Sequence, residues 1–166
     1  MNAWDKILLA ILLVVAASNG LGGEAVPSPA DTDGWTGVAQ RDEIRPDFEF
    51  KKSGESTESD VLLIRADNRE GLEGHWEKTF PVKGGQFYRF RALRRLENVA
   101  SPRRSALVRI QWRDDRGKPV HHDAPGAVSY APGKPPLAEP EYPTDRGTDA
   151  IGWTELADTY QADRKS

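Results

Sequence analysis

Cysteine is absent from all 166 residues, which excludes disulfides, thiolate nucleophiles and cysteine metal sites. Histidine is scarce. His75, His121 and His122 are the three present, and adjacent residues in an extended chain point to opposite faces, so the His121-His122 pair is badly placed to hold one metal ion. There is no Gly-x-Ser-x-Gly elbow, no His-Glu-x-x-His helix and no glycine-rich phosphate loop. Carboxylate pairs of the kind glycosidases use are defined in space rather than along the chain, and 26 acidic residues offer too many combinations for the sequence to select one. A basic surplus is missing as well: 23 Lys and Arg against 26 Asp and Glu, a formal net charge of −3, argue against a general nucleic-acid binder. After the first 25 residues no stretch sustains a helical period.

One apolar run stands out. Residues 7–17 carry no polar side chain, follow Lys6, and give way to Ser18, Asn19, Gly20, Gly22 and Gly23. A charged start, a short apolar core and a small-residue exit form the pattern of a secretory signal. The run is about half of the roughly 20 residues a membrane-spanning helix needs. Gly23-Glu24-Ala25 fits a small-x-small cleavage site, and Ala16-Ala17-Ser18 fits nearly as well. A helical signal peptide over residues 1–25 is therefore expected, with a secreted or periplasmic product and no membrane association after cleavage; the alternative is a permanent N-terminal anchor, for which the run is short. Removal of Asp5, Lys6 and Glu24 leaves 22 basic and 24 acidic residues, a net charge of −2. An exported domain without disulfides relies on its core alone, and about 140 residues are enough to bury one.

Residues 26–40, with Pro27 and Pro29, read as a flexible spacer. A β domain is then expected over 41–162, with 163–166 as a tail. Phe48 and Phe50 alternate with charges in 47–52, the period of a strand. Residues 60–66 form a β-branched and leucine-rich run. In 75–82, Trp76, Phe80 and Val82 share one side. Lys83-Gly84-Gly85 is a turn, and 86–93 follows with Tyr88, Phe90 and Ala92 on one face and Arg89 and Arg91 on the other. The most regular alternation lies in 105–113: Ala106, Val108, Ile110 and Trp112 against Leu107, Arg109, Gln111 and Arg113. Residues 120–122 suggest a short return strand. Residues 124–147 hold six prolines, which remove ladder donors and fix φ, so a long loop is expected there. Strand character resumes in 150–160. Short strands separated by turns predict an all-β, antiparallel sandwich.

Two turns are rich in oxygen, Asp67-Asn68-Arg69-Glu70-Gly71 and Asp114-Asp115. Such turns suit Ca²⁺, but the same residues form Asx turns with no ion, and that is the expectation; no cofactor is expected. The arginines are more informative. Residues 89–113 contain eight, opposed by Glu97 alone. If 86–93 and 105–113 are antiparallel neighbours, Arg89, Arg91, Arg109 and Arg113 share one sheet face, and arginine forks take carboxylate, sulfate or phosphate bidentately. The alternatives are a plain solvated face and a face that docks an acidic partner. Aromatic rings near loops are the other route to a ligand, since they stack on the C–H faces of sugars. Trp153, Tyr130 and Tyr142 are the candidates, with Trp35 beside them; Trp76 and Trp112 lie on apolar faces and are expected in the core.

The segment Gly152-Trp153-Thr154-Glu155-Leu156 with Tyr160, and the earlier Trp76–Phe80 run, Gly84-Gly85 turn and Phe87-Tyr88-Arg89-Phe90, resemble strands of jelly-roll, carbohydrate-binding-module-like sandwiches over roughly residues 40–162. That likeness implies a carbohydrate or another extracellular ligand, and a fold whose last two strands are missing here. Glu43-Ile44-Arg45-Pro46, Arg69-Glu70-Gly71-Leu72, Ser101-Pro102-Arg103-Arg104-Ser105 and Trp112-Arg113-Asp114-Asp115 resemble the N-terminal sandwich of exported bacterial carbon–nitrogen hydrolases of the nitrilase superfamily. In that family catalysis is housed in a separate domain with a Glu, a Lys and a Cys, so no catalytic residue carries over to a chain without cysteine. The expectation is a non-catalytic exported binding module. The alternatives are the accessory portion of such a hydrolase, or a cell-envelope interaction protein that docks through its arginine face.

Overall fold

Period-two alternation becomes hydrogen-bonded ladder in most places where the sequence carries it. The computed structural model describes residues 7–16, 32–52, 60–67, 69–121 and 136–162, the first of these through its backbone. Among the described residues eight strands run in chain order: β1 (Ile7–Ala16), β2 (Thr36–Val38), β3 (Asp47–Lys51), β4 (Val61–Ala66), β5 (His75–Glu77), β6 (Phe87–Glu97), β7 (Asp145–Thr148) and β8 (Trp153–Gln161). Helical structure among the described residues is confined to single turns at Asp42–Ile44 and Pro102–Ser105. Every named pairing is antiparallel, so the described residues are mainly β and antiparallel.

Six strands form one sheet in the order β3-β4-β1-β6-β8-β7, and β2 pairs with β5 in a second, two-stranded sheet. The small sheet lies over one end of the large one. Phe48 of β3 meets Trp76 of β5 edge to face, centroids 5.3 Å apart, and the indole Nε1 donates to the Leu63 carbonyl of β4 at 3.0 Å. The approach is so close that it needs glycine. A Cβ on Gly37 would stand 2.6 Å from the Phe48 ring, and one on Gly74 2.7 Å from the same ring and 2.8 Å from Pro46.

Across the large sheet, Phe48 and Phe50 lie opposite Ile64 and Leu62. Farther along, Ala92 lies opposite Leu156 and Tyr88 opposite Tyr160. Leu62, Leu63, Ala92, Leu156 and Ala157 are buried, joined by Ala106, Val120 and Ala162 from the connecting segments.

Four expectations change. Residues 7–16 are a strand between β4 and β6, not a helix. An unbroken apolar run carries no alternation, so the sequence does not separate a central strand from the core of a signal peptide. Residues 105–113 form no strand and do not pair with β6, whose partners are β1 and β8; they make isolated bridges, Ile110 to Glu141 and Arg113 to Pro119. The 75–82 strand stops at Glu77, after which Lys78 bonds Asp33 at 2.9 Å and lies over the Trp35 and Phe80 rings. Finally, the proline-rich loop ends early: β7 starts at Asp145, just past Pro143.

Candidate binding face

Register assigns the side chains of β6 and β8 to two faces. Tyr88, Phe90, Ala92 and Arg94 share the inner one with Leu156, Asp158 and Tyr160. The outer one carries Phe87, Arg89, Arg91, Leu93 and Arg95 from β6, opposite Gln161, Thr159, Ala157, Glu155 and Trp153 of β8. Along β6 alternation in exposure follows the same division, with Phe87, Arg89 and Arg91 exposed and Ala92 and Arg94 buried.

Three of the sequence-predicted residues, Arg89, Arg91 and Trp153, thus lie on one face of one strand pair. Trp153 is half-buried directly across from Arg95. Arg91 Nε donates to Glu155 Oε1 at 2.6 Å, and Arg95 donates to Glu97 at 2.7 Å, so these two forks are partly engaged in place. Arg89 is exposed and makes no ion pair among the described residues. The face is a strip of guanidinium groups with an indole at one end and the Phe87 ring, 65% exposed, at the other. Such a strip can take an anion through the guanidinium forks while an apolar ring face lies against the indole.

The remaining predicted residues lie elsewhere. Arg109 and Arg113 belong to the bridged segment, and so the four-arginine face does not exist: its premise was a ladder between 86–93 and 105–113, and β1 and β8 hold both sides of β6. Arg113 bonds Gln111 at 3.2 Å and the Gly117 carbonyl at 3.4 Å. Ile110 and Glu141 exchange both backbone hydrogen bonds at 2.9 Å, which sets Arg109 beside Tyr142 on the neighbouring segment; Tyr142 is exposed. Tyr130 lies outside the described residues, as does His122, while His121 bridges to Leu137. The oxygen-rich turns are Asx turns: Asp67 Oδ1 accepts from the Arg69 amide at 2.8 Å, and Asp114 Oδ1 from the amides of Arg116 and Lys118 at 2.9 and 2.8 Å.

Behind the face lie two groups that sequence reading overlooked. The Arg94 guanidinium, 4% exposed, donates to the Ala106 carbonyl at 2.7 Å and to Asp145 Oδ2 at 2.8 Å, tying β6 to β7 and to the segment after the helical turn. Asp158 accepts from the Thr144 amide at 2.9 Å and hydroxyl at 2.7 Å and pairs with Arg146. The Thr144 hydrogen bonds, with the Arg146 charge, hold its carboxyl below the ordinary value. Next to it the Tyr160 phenol is pushed up to about 12, chiefly by burial, with the Asp158 and Glu141 charges adding to the rise. Both groups brace the β7–β8 edge. The chain matches no known protein-family model, no curated protein and no solved structure.

Proposed function

We propose that the chain is an exported, non-catalytic binding module of jelly-roll type, with the outer β6–β8 face taking a carbohydrate that carries carboxylate or sulfate groups. One observation carries the reading: Arg89, Arg91 and Trp153 share that face. A guanidinium fork matches the two oxygens of a carboxylate or sulfate and an indole matches the C–H face of a sugar ring, so an acidic glycan uses both at once. The layered antiparallel sheets, with Phe48 and Trp76 packed between them, support the sandwich. The Lys6-led apolar run followed by small residues supports export.

Titration against a panel of sulfated, uronate-bearing and neutral glycans tests the function. Sulfated or uronate chains bind, and neutral chains of the same length bind at least tenfold more weakly. Charge-assisted hydrogen bonds contribute about 1.5–3 kcal/mol each, so Arg89→Ala and Arg91→Ala each weaken acidic-glycan binding about tenfold or more. Trp153→Ala weakens binding of every glycan that binds. Silence across the whole panel removes the carbohydrate reading.

A docking face for an acidic protein is the second reading. It is favoured by Glu155, which sits among the arginines and takes the Arg91 Nε, giving the face the mixed charge of a protein interface. Co-purification of a partner that Arg89→Ala releases is the outcome that selects it.

A further inference from the structure

The large sheet is continuous only through β1. Residues 7–11 pair with β4, from Ile7 opposite Ala66 to Ile11 opposite Leu62, and residues 8–16 pair with β6, from Leu8 opposite Glu97 to Ala16 opposite Arg89. β4 and β6 are not neighbours in the sheet. Strands lie about 4.8 Å apart, so the walls of this gap stand roughly 10 Å from each other, one strand's width. Each wall presents a row of backbone donors and acceptors that face nothing else in the sheet, and an unmet row of this kind is a template for an added strand. Leu62 and Leu63 on one wall and Ala92 on the other are buried and lie opposite residues 10, 11 and 13, so the middle of the gap favours apolar side chains.

The residues that fill it are the same apolar ten that bear the hallmarks of a removable leader. A strand that completes a sheet from both sides, and is separated along the chain from both of its partners, behaves as an inserted peptide rather than as a hairpin arm. We infer that the gap between β4 and β6 is a strand-acceptor site. It is selective for an extended apolar peptide of about ten residues running antiparallel to both walls, and residues 7–16 occupy it as an exchangeable insert. The inference does not rest on the glycan reading: it uses the backbone of β6 along its β1 edge, Arg89, Arg91 and Arg95 included, and none of the guanidinium groups on which that reading stands.

The test uses the full-length protein with a protease site introduced between residues 19 and 30. After cleavage, the N-terminal fragment stays with the remainder through gel filtration, or leaves with loss of amide protection in β4 and β6 that added peptide restores. The probe is a labelled synthetic peptide of residues 7–16 with lysines appended for solubility. It exchanges into the gap, and the same peptide with Ala10→Pro does so more than about 100-fold more weakly, because residues 8–11 face a partner on both sides and no position there tolerates a lost N–H. The idea is overturned if the fragment leaves with protection unchanged, if protection once lost is not restored by peptide, or if the proline peptide exchanges as well as the parent. Glycan titration on the uncleaved protein reads the proposed function separately, so either can fail alone.

Discussion

Arg94 shows how one residue can look like surface in the sequence and be core in the fold. It stands at the end of an aromatic-rich strand beside a second arginine, where polarity suggests a connection. Instead β6 continues through it to Glu97, because Asp145, 51 positions later, and the Ala106 carbonyl meet its guanidinium. A buried charge deprived of its partner costs several kcal/mol. Arg94→Ala, which leaves Asp145 and the carbonyl without their donor, is expected to lower stability by about 3 kcal/mol in urea unfolding. Arg94→Lys recovers part of that, since an ammonium cannot serve both acceptors in a fork.

Tyr160 makes a prediction in the alkaline range. Its folded value lies near 12 against an ordinary 10, so the native state resists ionisation that the unfolded state accepts. Its contribution is fully present below pH 10 and is lost as pH rises from 10 to about 12. The wild-type urea midpoint falls across that window, and Tyr160→Phe flattens the fall. Absorbance at alkaline pH shows a late tyrosine ionisation near 12 that Tyr160→Phe removes.

At the scale of elements, alternation located β3 and the first half of β6 closely, and strand-favouring composition located β4 and β8. It failed in 105–113, where the pattern is as regular as any in the chain. Alternation records which side chains prefer burial, and Ala106 is indeed buried, but it does not name a hydrogen-bonding neighbour. β8 and β1 already hold both edges of β6, so the segment finds only single bridges. β7 was hidden for the opposite reason: Asp-Arg-Gly-Thr is a short polar strand at the sheet margin, and the prolines that precede it obscured the change. The candidate face was legible in its residue types and half wrong in its membership, because which arginines share a face depends on which strands pair.

The contact between the two sheets yields the prediction at this level. Gly37 and Gly74 both abut Phe48, so a methyl group at either forces the ring or the backbone to move. Overpacking of this kind costs about 1–3 kcal/mol. Gly37→Ala and Gly74→Ala are each expected to lower the midpoint of thermal unfolding, and Phe48→Leu in the same chain, by freeing space, recovers part of the loss. Gly117, whose Cβ position is open, is a poor control because its φ of 75° is itself unfavourable to alanine. Gly147 has open space and no such constraint, so Gly147→Ala serves and leaves stability within about 0.5 kcal/mol.

For the whole molecule, the charge balance and the outer face point in opposite directions. The chain is acidic, with a net charge of −3, while one strand of it bears Arg89, Arg91 and Arg95 on a single side. Long-range attraction to a polyanion is therefore weak, and what binding occurs is short-ranged. Salt distinguishes the contributions, since the screening length shrinks from about 10 Å at 0.1 M to about 3 Å at 1 M. Acidic-glycan affinity is expected to fall moderately over that range, with a slope that Arg89→Ala makes shallower, whereas neutral-glycan affinity stays flat.

The position of β1 also sets a timetable. It is made before both of its partners, and Leu12 lies across from Leu93, a residue synthesised 81 positions later. Local ladders such as β3 with β4 can close early, whereas this one must wait for a closure that spans half the polypeptide, and contacts of long sequence separation are slow to form. During translation the most water-averse segment of the chain is therefore also the one left longest without its neighbours. It is exposed throughout that delay to any chaperone, export factor or aggregate that takes up extended apolar peptides.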